Sequence, residues 1–210
     1  MKLTKYEHAC FSLEKDEQIL VIDPGAFTKD FTVTDNISGI IITHAHPDHF
    51  DPDTLASILD KNPDSLLIST EEVVQKMPGH ASKVAHPGEA IKVGPFELAF
   101  FGEKHAIIHD TLPIIDNFGV LINESVYFPG DSFTLPDRPV DTLALPVGAP
   151  WLKISEAMDF FTAVKPRFAF PTHDAIFSDI GKNLVDGRMK SVAEGLDTEF
   201  RRIDGQTIDV

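Results

Sequence analysis

Cysteine is nearly absent from this sequence, and its scarcity excludes two kinds of site. Cys10 is the single cysteine, so the chain cannot form an intramolecular disulfide or a Cys-rich zinc module. Cys10 lies in the β-like stretch HACFSLE, where a small buried hydrophobic side chain is a more common role than a catalytic thiol. A metal site in this chain would therefore need histidine and carboxylate ligands.

Basic residues and long apolar runs are also scarce. The 18 lysine and arginine residues are outnumbered by 33 aspartate and glutamate residues, and the net charge of −15 repels polyanions. No Lys/Arg-rich patch appears, so we expect no nucleic-acid partner. No apolar run is long enough to span a bilayer, and the opening MKLTKYEHACF lacks the apolar core of a signal peptide. We therefore expect a cytoplasmic protein with no membrane partner.

The order of strand-like and helix-like segments indicates the fold class. The length supports one sizeable core, so we expect a single domain over residues 1–210. Strand pairs open the chain, strand–helix alternation follows, and strands with helices return near the end. This order predicts two similar α/β halves whose sheets pack together with helices outside, which is a four-layer sandwich.

Local signals place individual elements. Ala9–Leu13 and Ile19–Ile22 are predicted strands joined by a turn, and FRRIDGQTIDV is predicted to form a final strand. The continuous apolar run SGIIIT predicts a strand that is buried on both faces. Asp51 and Ser155 precede amphipathic stretches and are predicted helix caps.

Histidine is concentrated in HAHPDH, which runs from His44 to His49 directly after that buried strand. Alternate side chains of an extended segment face the same way, so His44 and His46 can reach one metal ion together. Pro47 bends the chain, which places Asp48 and His49 near a second ion. Imidazole and carboxylate suit Zn, Fe, Mn or Ni, and the end of a buried strand is a common position for sites in α/β sheets.

Three later segments offer further ligands at predicted strand ends. GEKHAIIHD contains His105 and His109, FPGDSF contains Asp131 after a turn at Gly130, and FPTHD contains His173. An isolated histidine or aspartate is usually structural, but three such groups beside the cluster favour a shared site. The residues alone leave open whether His105 or His109 would be the ligand.

The pattern His-x-His-x-Asp-His, followed by a histidine, a Gly-Asp pair and a late histidine, resembles the metallo-β-lactamase superfamily. The resemblance extends from VIDPG to FPTHD. The HACFSLE opening and the late PTH are most similar to its compact branch of ascorbate-6-phosphate lactonase-like and uncharacterised metal-dependent hydrolase proteins. Membership would imply an αββα sandwich of the metallo-β-lactamase type, with a binuclear site at one edge.

The resemblance also implies a set of ligands for two ions. The first ion would take His44, His46 and His105, the second would take Asp48, His49 and His173, and Asp131 would bridge both. Asp48 and Asp131 would serve catalysis by anchoring the ions and orienting a hydroxide. His105 is preferred to His109 because it directly follows a strand.

Four other residues are expected in the pocket or behind the ligands. Asp23 in VIDPG resembles the family's strand-end aspartate and would hold a ligand histidine in one tautomer. His109 would line the pocket or transfer protons. His8 would either approach the site or be a buried structural histidine. Trp151, the single tryptophan, would either stack on a ligand or pack in the core.

Together these features predict a metal-dependent hydrolase whose metal-bridged hydroxide attacks a small ester, lactone or phosphoester. The cofactors would be two divalent ions, with zinc favoured over manganese, nickel or iron. The partner would be a small-molecule substrate, and a homo-oligomer is left open. The alternatives are an iron-dependent redox enzyme, similar to an oxygenase on the same fold, and a non-catalytic metal-binding protein.

Overall fold

Two seven-stranded β-sheets form the centre of the computed structural model, which describes residues 1–29 and 31–210. The strands of the first sheet are Lys2–Lys5 (β1), Phe11–Lys15 (β2), Gln18–Ile22 (β3), Ile37–Ile42 (β4), Leu66–Ser69 (β5), Ser82–Val84 (β6) and Thr207–Asp209 (β14). Those of the second sheet are Ala90–Val93 (β7), Phe96–Phe101 (β8), Gly119–Ile122 (β9), Val126–Phe128 (β10), Thr142–Pro146 (β11), Phe168–Thr172 (β12) and Glu199–Phe200 (β13). The two halves of the chain thus build sheets of equal strand number, as predicted.

Strand direction brings many strand ends to one edge of each sheet. The first sheet has the order β14-β1-β2-β3-β4-β5-β6, and β3 to β6 are parallel. The second has the order β13-β12-β11-β10-β9-β8-β7, and β10 to β13 are parallel. β1 is antiparallel to β2, and β2 is antiparallel to β3, so β1 runs in the same direction as β3. In the same way, β8 runs in the same direction as β10, because both are antiparallel to β9. The carboxyl ends of all these strands are therefore available to build one site.

The described residues also form four helices, Pro52–Lys61 (α1), Glu71–Lys76 (α2), Ile154–Val164 (α3) and Asp179–Leu196 (α4). The predicted cap of α1 is confirmed, because the Asp51 carboxylate accepts a hydrogen bond from the amide of Thr54. Across residues 1–29 and 31–210, no helix combines the length and the apolar character needed to cross a membrane.

Apolar cores lie between successive layers. Between the sheets, the ring of Phe11 contacts those of Phe128 and Phe170, with centroids 5.6 and 5.8 Å apart. On the outer face of the first sheet, α1 contributes Leu55 to a second core. On the outer face of the second sheet, α3 contributes Phe161 to a third. The layers are helix, sheet, sheet and helix, and the predicted αββα sandwich is confirmed.

The buried strand ahead of the histidine-rich segment is β4. Ile41 faces the core between the sheets, whereas Ile40 and Ile42 face the core beneath α1. Side chains alternate along a strand, so a strand covered on both faces requires apolar residues at successive positions. This explains why the run is continuous, and it fixes the position from which the next segment emerges.

Two local predictions are wrong. Ser155 does not cap α3: the helix begins at Ile154, which packs against the outer core, and Lys153 is the N-cap residue. FRRIDGQTIDV does not form one strand. A turn at Gly205, where φ is +69°, separates β13 in the second sheet from β14 in the first.

Gly25 packs so closely against the histidine-rich segment that a Cβ there would overlap the carbonyl group of Asp48 and the amide nitrogen of His49. Because backbone atoms would have to move, Gly25→Ala should lower the free energy of unfolding by about 1–3 kcal/mol. Urea denaturation followed by circular dichroism measures this change.

Gly187→Ala is the matched control, because nothing lies within 4 Å of a Cβ at this position inside α4. Alanine there should stabilise the protein by up to about 1 kcal/mol. Equal unfolding midpoints for the two variants would contradict the close packing at Gly25.

Candidate metal centre

Six strands end beside one cluster of histidine and aspartate side chains. His8 follows β1, Asp23 follows β3, His44–His49 follows β4, His105 follows β8, Asp131 follows β10 and His173 follows β12. Three of these strands belong to each sheet, so the cluster lies at an edge that both sheets share.

The chain turns sharply at several of these strand ends. The backbone φ angle is +55° at His8, +44° at Asp23, +60° at Gly130 and +60° at His173. Left-handed values are uncommon outside glycine, and they persist where surrounding contacts enforce them, often at functional sites. The turn expected at Gly130 is therefore present, and three site residues share its unusual conformation.

Hydrogen bonds fix the rings of His49 and His173 through Nδ1. Nδ1 of His49 lies 2.6 Å from Oδ2 of Asp23, and Nδ1 of His173 lies 2.6 Å from the carbonyl oxygen of Gly148. Both partners are acceptors, so Nδ1 carries the ring proton and donates it. Nε2 is then left with a free lone pair, which is the form that binds a metal ion.

The rings of His44 and His105 are held in the same way. Nδ1 of His105 donates to the carbonyl oxygen of Ala106. The Thr43 hydroxyl donates to Oδ2 of Asp23 over 2.6 Å, so its oxygen can accept from Nδ1 of His44, 3.0 Å away. The four Nδ1 hydrogen bonds thus orient four Nε2 lone pairs.

These Nε2 atoms converge on the carboxylate of Asp131. Nε2 of His173 and of His105 lie 3.0 and 3.2 Å from Oδ2, and Nε2 of His49 lies 3.1 Å from Oδ1. The indole N–H of Trp151 donates to Oδ2 over 2.9 Å. Asp131 is only 2% exposed, so its position is set by these neighbours and not by solvent.

The ligand atoms form two groups, and the atoms within each lie no more than 4.8 Å apart. One group is His44, His46, His105 and Asp131, and the other is His8, Asp48, His49 and His173. Since Asp131 also contacts His49 and His173, its carboxylate joins the two groups. The structure therefore brings together all seven residues expected as ligands and adds His8 to them.

The charge of the cluster favours a bound cation. Burial raises the pKa of Asp131, but the nearby rings of His49 and His173, when protonated, hold it well below its usual range. Burial lowers the pKa of His173, yet the carboxylates of Asp131 and Asp48 outweigh burial and raise it to about 9. The buried carboxylates thus hold positive charge beside them, which either protons or metal ions can supply.

Unpaired atoms provide a direct test of whether the residues fit a metal. Within residues 1–29 and 31–210, Nε2 of His49, Nε2 of His173 and Oδ1 of Asp131 are buried and make no well-directed hydrogen bond, although both nitrogens lie 3.0–3.1 Å from oxygens of Asp131. Buried polar atoms are almost always paired, because leaving them unpaired costs free energy. Imidazole nitrogen and carboxylate oxygen are good ligands for divalent transition metals. The donor set therefore fits a metal centre.

Two expected pocket residues differ in their placement. His109 is exposed and its Nδ1 lies 2.8 Å from the hydroxyl of Thr111, whereas His105 is the histidine beside Asp131. Trp151 is buried, and its ring packs edge-on against Phe133 with centroids 5.2 Å apart. Its indole therefore combines a packing contact with the hydrogen bond to Asp131.

Sequence reasoning overlooked three groups that orient the cluster. Thr43 immediately precedes HAHPDH, so its position at a strand end was a usable signal. The Asn117 side chain accepts a hydrogen bond from the amide of Asp131 over 3.0 Å, and the carbonyl of Gly148 holds His173. Both lie in loops that the sequence suggests as walls of the pocket, but these two contacts could not be predicted, because 14 and 25 residues separate the partners.

Comparison with known proteins identifies the family. Residues 2–173 match the family model described as a beta-lactamase superfamily domain. Protein Rv0786c of Mycobacterium tuberculosis is 35% identical over 194 residues, which are 90% of this chain and 91% of that protein. A protein of Salinibacter ruber named UPF0173 metal-dependent hydrolase is 27% identical over 207 residues, covering 88% of this chain and 89% of that protein.

A solved structure shows the same fold. Igni18, described as a metallo hydrolase from Ignicoccus hospitalis, superposes with a TM-score of 0.75 at 22% identity, covering 100% of this chain and 98% of that chain. The match to the family model covers far more than half of the sequence and ends at His173, the last expected ligand. The chain belongs to the metallo-β-lactamase superfamily, in the branch that contains uncharacterised metal-dependent hydrolases.

Proposed function

We propose that this protein is a binuclear metal-dependent hydrolase whose residues 1–210 act as one domain. The observation that best supports the proposal is the convergence on the buried Asp131 carboxylate of Nε2 of His49 and of His173, neither of which makes a well-directed hydrogen bond. Relatives named as metal-dependent hydrolases agree with it. The substrate would be a small molecule.

The two groups of ligand atoms suggest how two ions would be held. The first ion would bind His44, His46 and His105, the second would bind Asp48, His49 and His173, and Asp131 would contact both. Zinc is the favoured metal, since its sites in proteins commonly combine a few imidazole and carboxylate ligands. Manganese, nickel and iron accept the same donors.

The side chains would prepare the site for hydrolysis. Bound divalent ions supply Lewis acidity and lower the pKa of water near them, so that hydroxide is available at neutral pH. Asp131 would fix the position of one group of ligands relative to the other. Its carboxylate is held by the indole of Trp151, and its backbone amide is held by the side chain of Asn117. Asp48 would orient the attacking water.

A small cavity borders two of the segments that carry the site, but none of the proposed metal ligands lines it. It has a volume of about 180 Å³, and its lining includes His86, Glu103, Lys104 and Asn117. Glu103 and Lys104 directly precede His105, and Asn117 binds the amide of Asp131. We propose that the substrate, bound at the metal ligands themselves, is a small polar ester, lactone or phosphoester, the class expected from the sequence.

Metal content and hydrolysis test the proposal together. The protein, purified without an affinity tag from metal-supplemented medium, should contain about two ions per chain by mass spectrometry. It should hydrolyse at least one compound in a panel of small esters, lactones and phosphoesters. Iron with redox activity would instead support the oxygenase-like alternative. Bound metal with no turnover would support a non-catalytic metal-binding protein.

Asp131→Ala should reduce metal content to about one ion or fewer, because the variant loses the carboxylate that both groups contact. The loss of hydrolysis should exceed the roughly 10- to 100-fold effect of removing a partner that only supports a ligand. Far-ultraviolet circular dichroism should remain unchanged.

Asp137→Ala is its control, because Asp137 is exposed and pairs with Arg138 away from the cluster. This variant should retain metal and activity. If Asp131→Ala kept both ions and near-normal turnover, the proposed centre would be wrong.

Trp151→Phe tests the indole hydrogen bond separately from packing. The variant keeps an aromatic ring beside Phe133 but removes the N–H that binds Asp131. We expect metal affinity to fall by about 10-fold and stability by about 1 kcal/mol. Chelator competition and urea denaturation measure the two effects.

Tyr127→Phe is the matched control for Trp151→Phe. It also removes one buried donor, the hydroxyl that binds the carbonyl of Thr134 over 2.7 Å. Its stability should fall by a similar amount, about 1 kcal/mol, while metal affinity stays the same. Equal metal affinities in the two variants would show that the indole does not hold the metal-binding carboxylate.

A further inference from the structure

His8 lies among the atoms proposed to hold the second ion, but its ring is hydrogen-bonded in the opposite sense to the ligand histidines. Nδ1 of His8 accepts the backbone N–H of Ala175 over 3.3 Å. Nε2 of His8 lies 3.0 Å from Oδ2 of Asp48. A backbone amide nitrogen can only donate, so Nδ1 has no proton and Nε2 carries the ring proton.

This tautomer separates His8 from His49 and His173. In those two rings Nδ1 donates to Asp23 and to the carbonyl of Gly148, which leaves Nε2 free for a metal ion. To bind a metal through Nε2, His8 would have to lose its only ring proton or give up the amide of Ala175. Its proton instead faces a carboxylate oxygen at ordinary hydrogen-bond distance.

We propose that His8 is a positioning residue for the second metal ion and not one of its ligands. Its Nε2–H donates to Asp48 and fixes the orientation of that carboxylate toward the ion. This inference rests on the proposed function, which places an ion among Asp48, His49 and His173. Asp48 needs such support, because its side chain is 17% exposed whereas those of His49 and His173 are 0% and 5% exposed.

The backbone of His8 is itself firmly held. Its φ of +55° is unusual for histidine. Its carbonyl oxygen accepts hydrogen bonds from Nζ of Lys5 over 2.8 Å and from the amide of His173 over 3.2 Å. Lys5 is fully buried, so its ammonium group is committed to this turn and not to solvent. The turn therefore couples His8 to the strand end that carries His173.

Ring contacts also hold the imidazole of His8 in this orientation. The ring of His173 lies 4.2 Å away between centroids, and that of Phe27 packs edge-on at 5.1 Å. His8 is 1% exposed. A buried ring with two aromatic neighbours and a hydrogen-bond partner at each nitrogen serves as a fixed donor.

Metal affinity of two variants tests this role. Asparagine tolerates the left-handed backbone, but its side chain is too short to place a donor at the position of Nε2. His8→Asn should therefore lower the affinity for the second ion about 10- to 100-fold. Glutamine can place an amide N–H near that point, so His8→Gln should restore much of the affinity. The first ion should be unaffected in both variants.

Zinc titration against a chromophoric chelator resolves the two binding steps, and His80→Asn serves as the control because His80 lies outside both groups. If His8→Asn binds two ions with unchanged affinities, the proposed role of His8 is wrong but the binuclear site stands. Fewer than two ions bound by the unsubstituted protein would overturn the binuclear site and this role together.

Nitrogen-15 NMR of the zinc-loaded, unsubstituted protein keeps the inference testable if a variant fails to fold. Two-bond correlations between ring protons and nitrogens identify which nitrogen carries the exchangeable proton. We expect a proton on Nε2 of His8, and a proton on Nδ1 with zinc on Nε2 for His49 and His173. Zinc on Nε2 of His8 would show that it is a ligand and overturn the inference.

Discussion

The buried carboxylate of Asp131 is the charge on which the rest of the site depends. It is 2% exposed, and a carboxylate so far from water is stable only when hydrogen bonds and positive charge surround it. The indole of Trp151 supplies one hydrogen bond, and the rings of His49, His105 and His173 face the oxygens. Because these rings present lone pairs, the remaining positive charge has to come from protons or from metal ions. The proposed metal centre follows from this electrostatic requirement.

The geometry around Asp131 requires a second layer of fixed groups. A histidine presents Nε2 as a ligand only if Nδ1 has an acceptor, and the acceptors here are Asp23, Thr43 and backbone carbonyls. These acceptors come from loops after different strands. Their positions therefore depend on the registers of both sheets and on the cores that hold the sheets together. The left-handed backbone at Asp23 and His173 is maintained by the same contacts.

The sequence allowed much of this to be predicted, because its strongest signals are local. Short β-like runs located β3 and, with a shift of two residues, β2. The continuous run before HAHPDH identified β4, and polar residues at strand ends indicated the candidate ligands. Features set by long-range contacts were missed. Ser155 was wrongly predicted as a cap, because Ile154 packs against the outer core and α3 starts there, two residues before the start that a cap at Ser155 would give. The partners of Asn117 and Gly148 lie far along the chain, and nothing in the residues near His8 shows which of its ring nitrogens faces Asp48.

Anomalous diffraction from crystals of the zinc-loaded protein, recorded on both sides of the zinc absorption edge, would test the central claim most directly. The account predicts two peaks about 3.5–4 Å apart, on either side of the Asp131 carboxylate. One peak would lie among His44, His46 and His105, and the other among Asp48, His49 and His173. A single peak, or peaks away from Asp131, would contradict the binuclear centre.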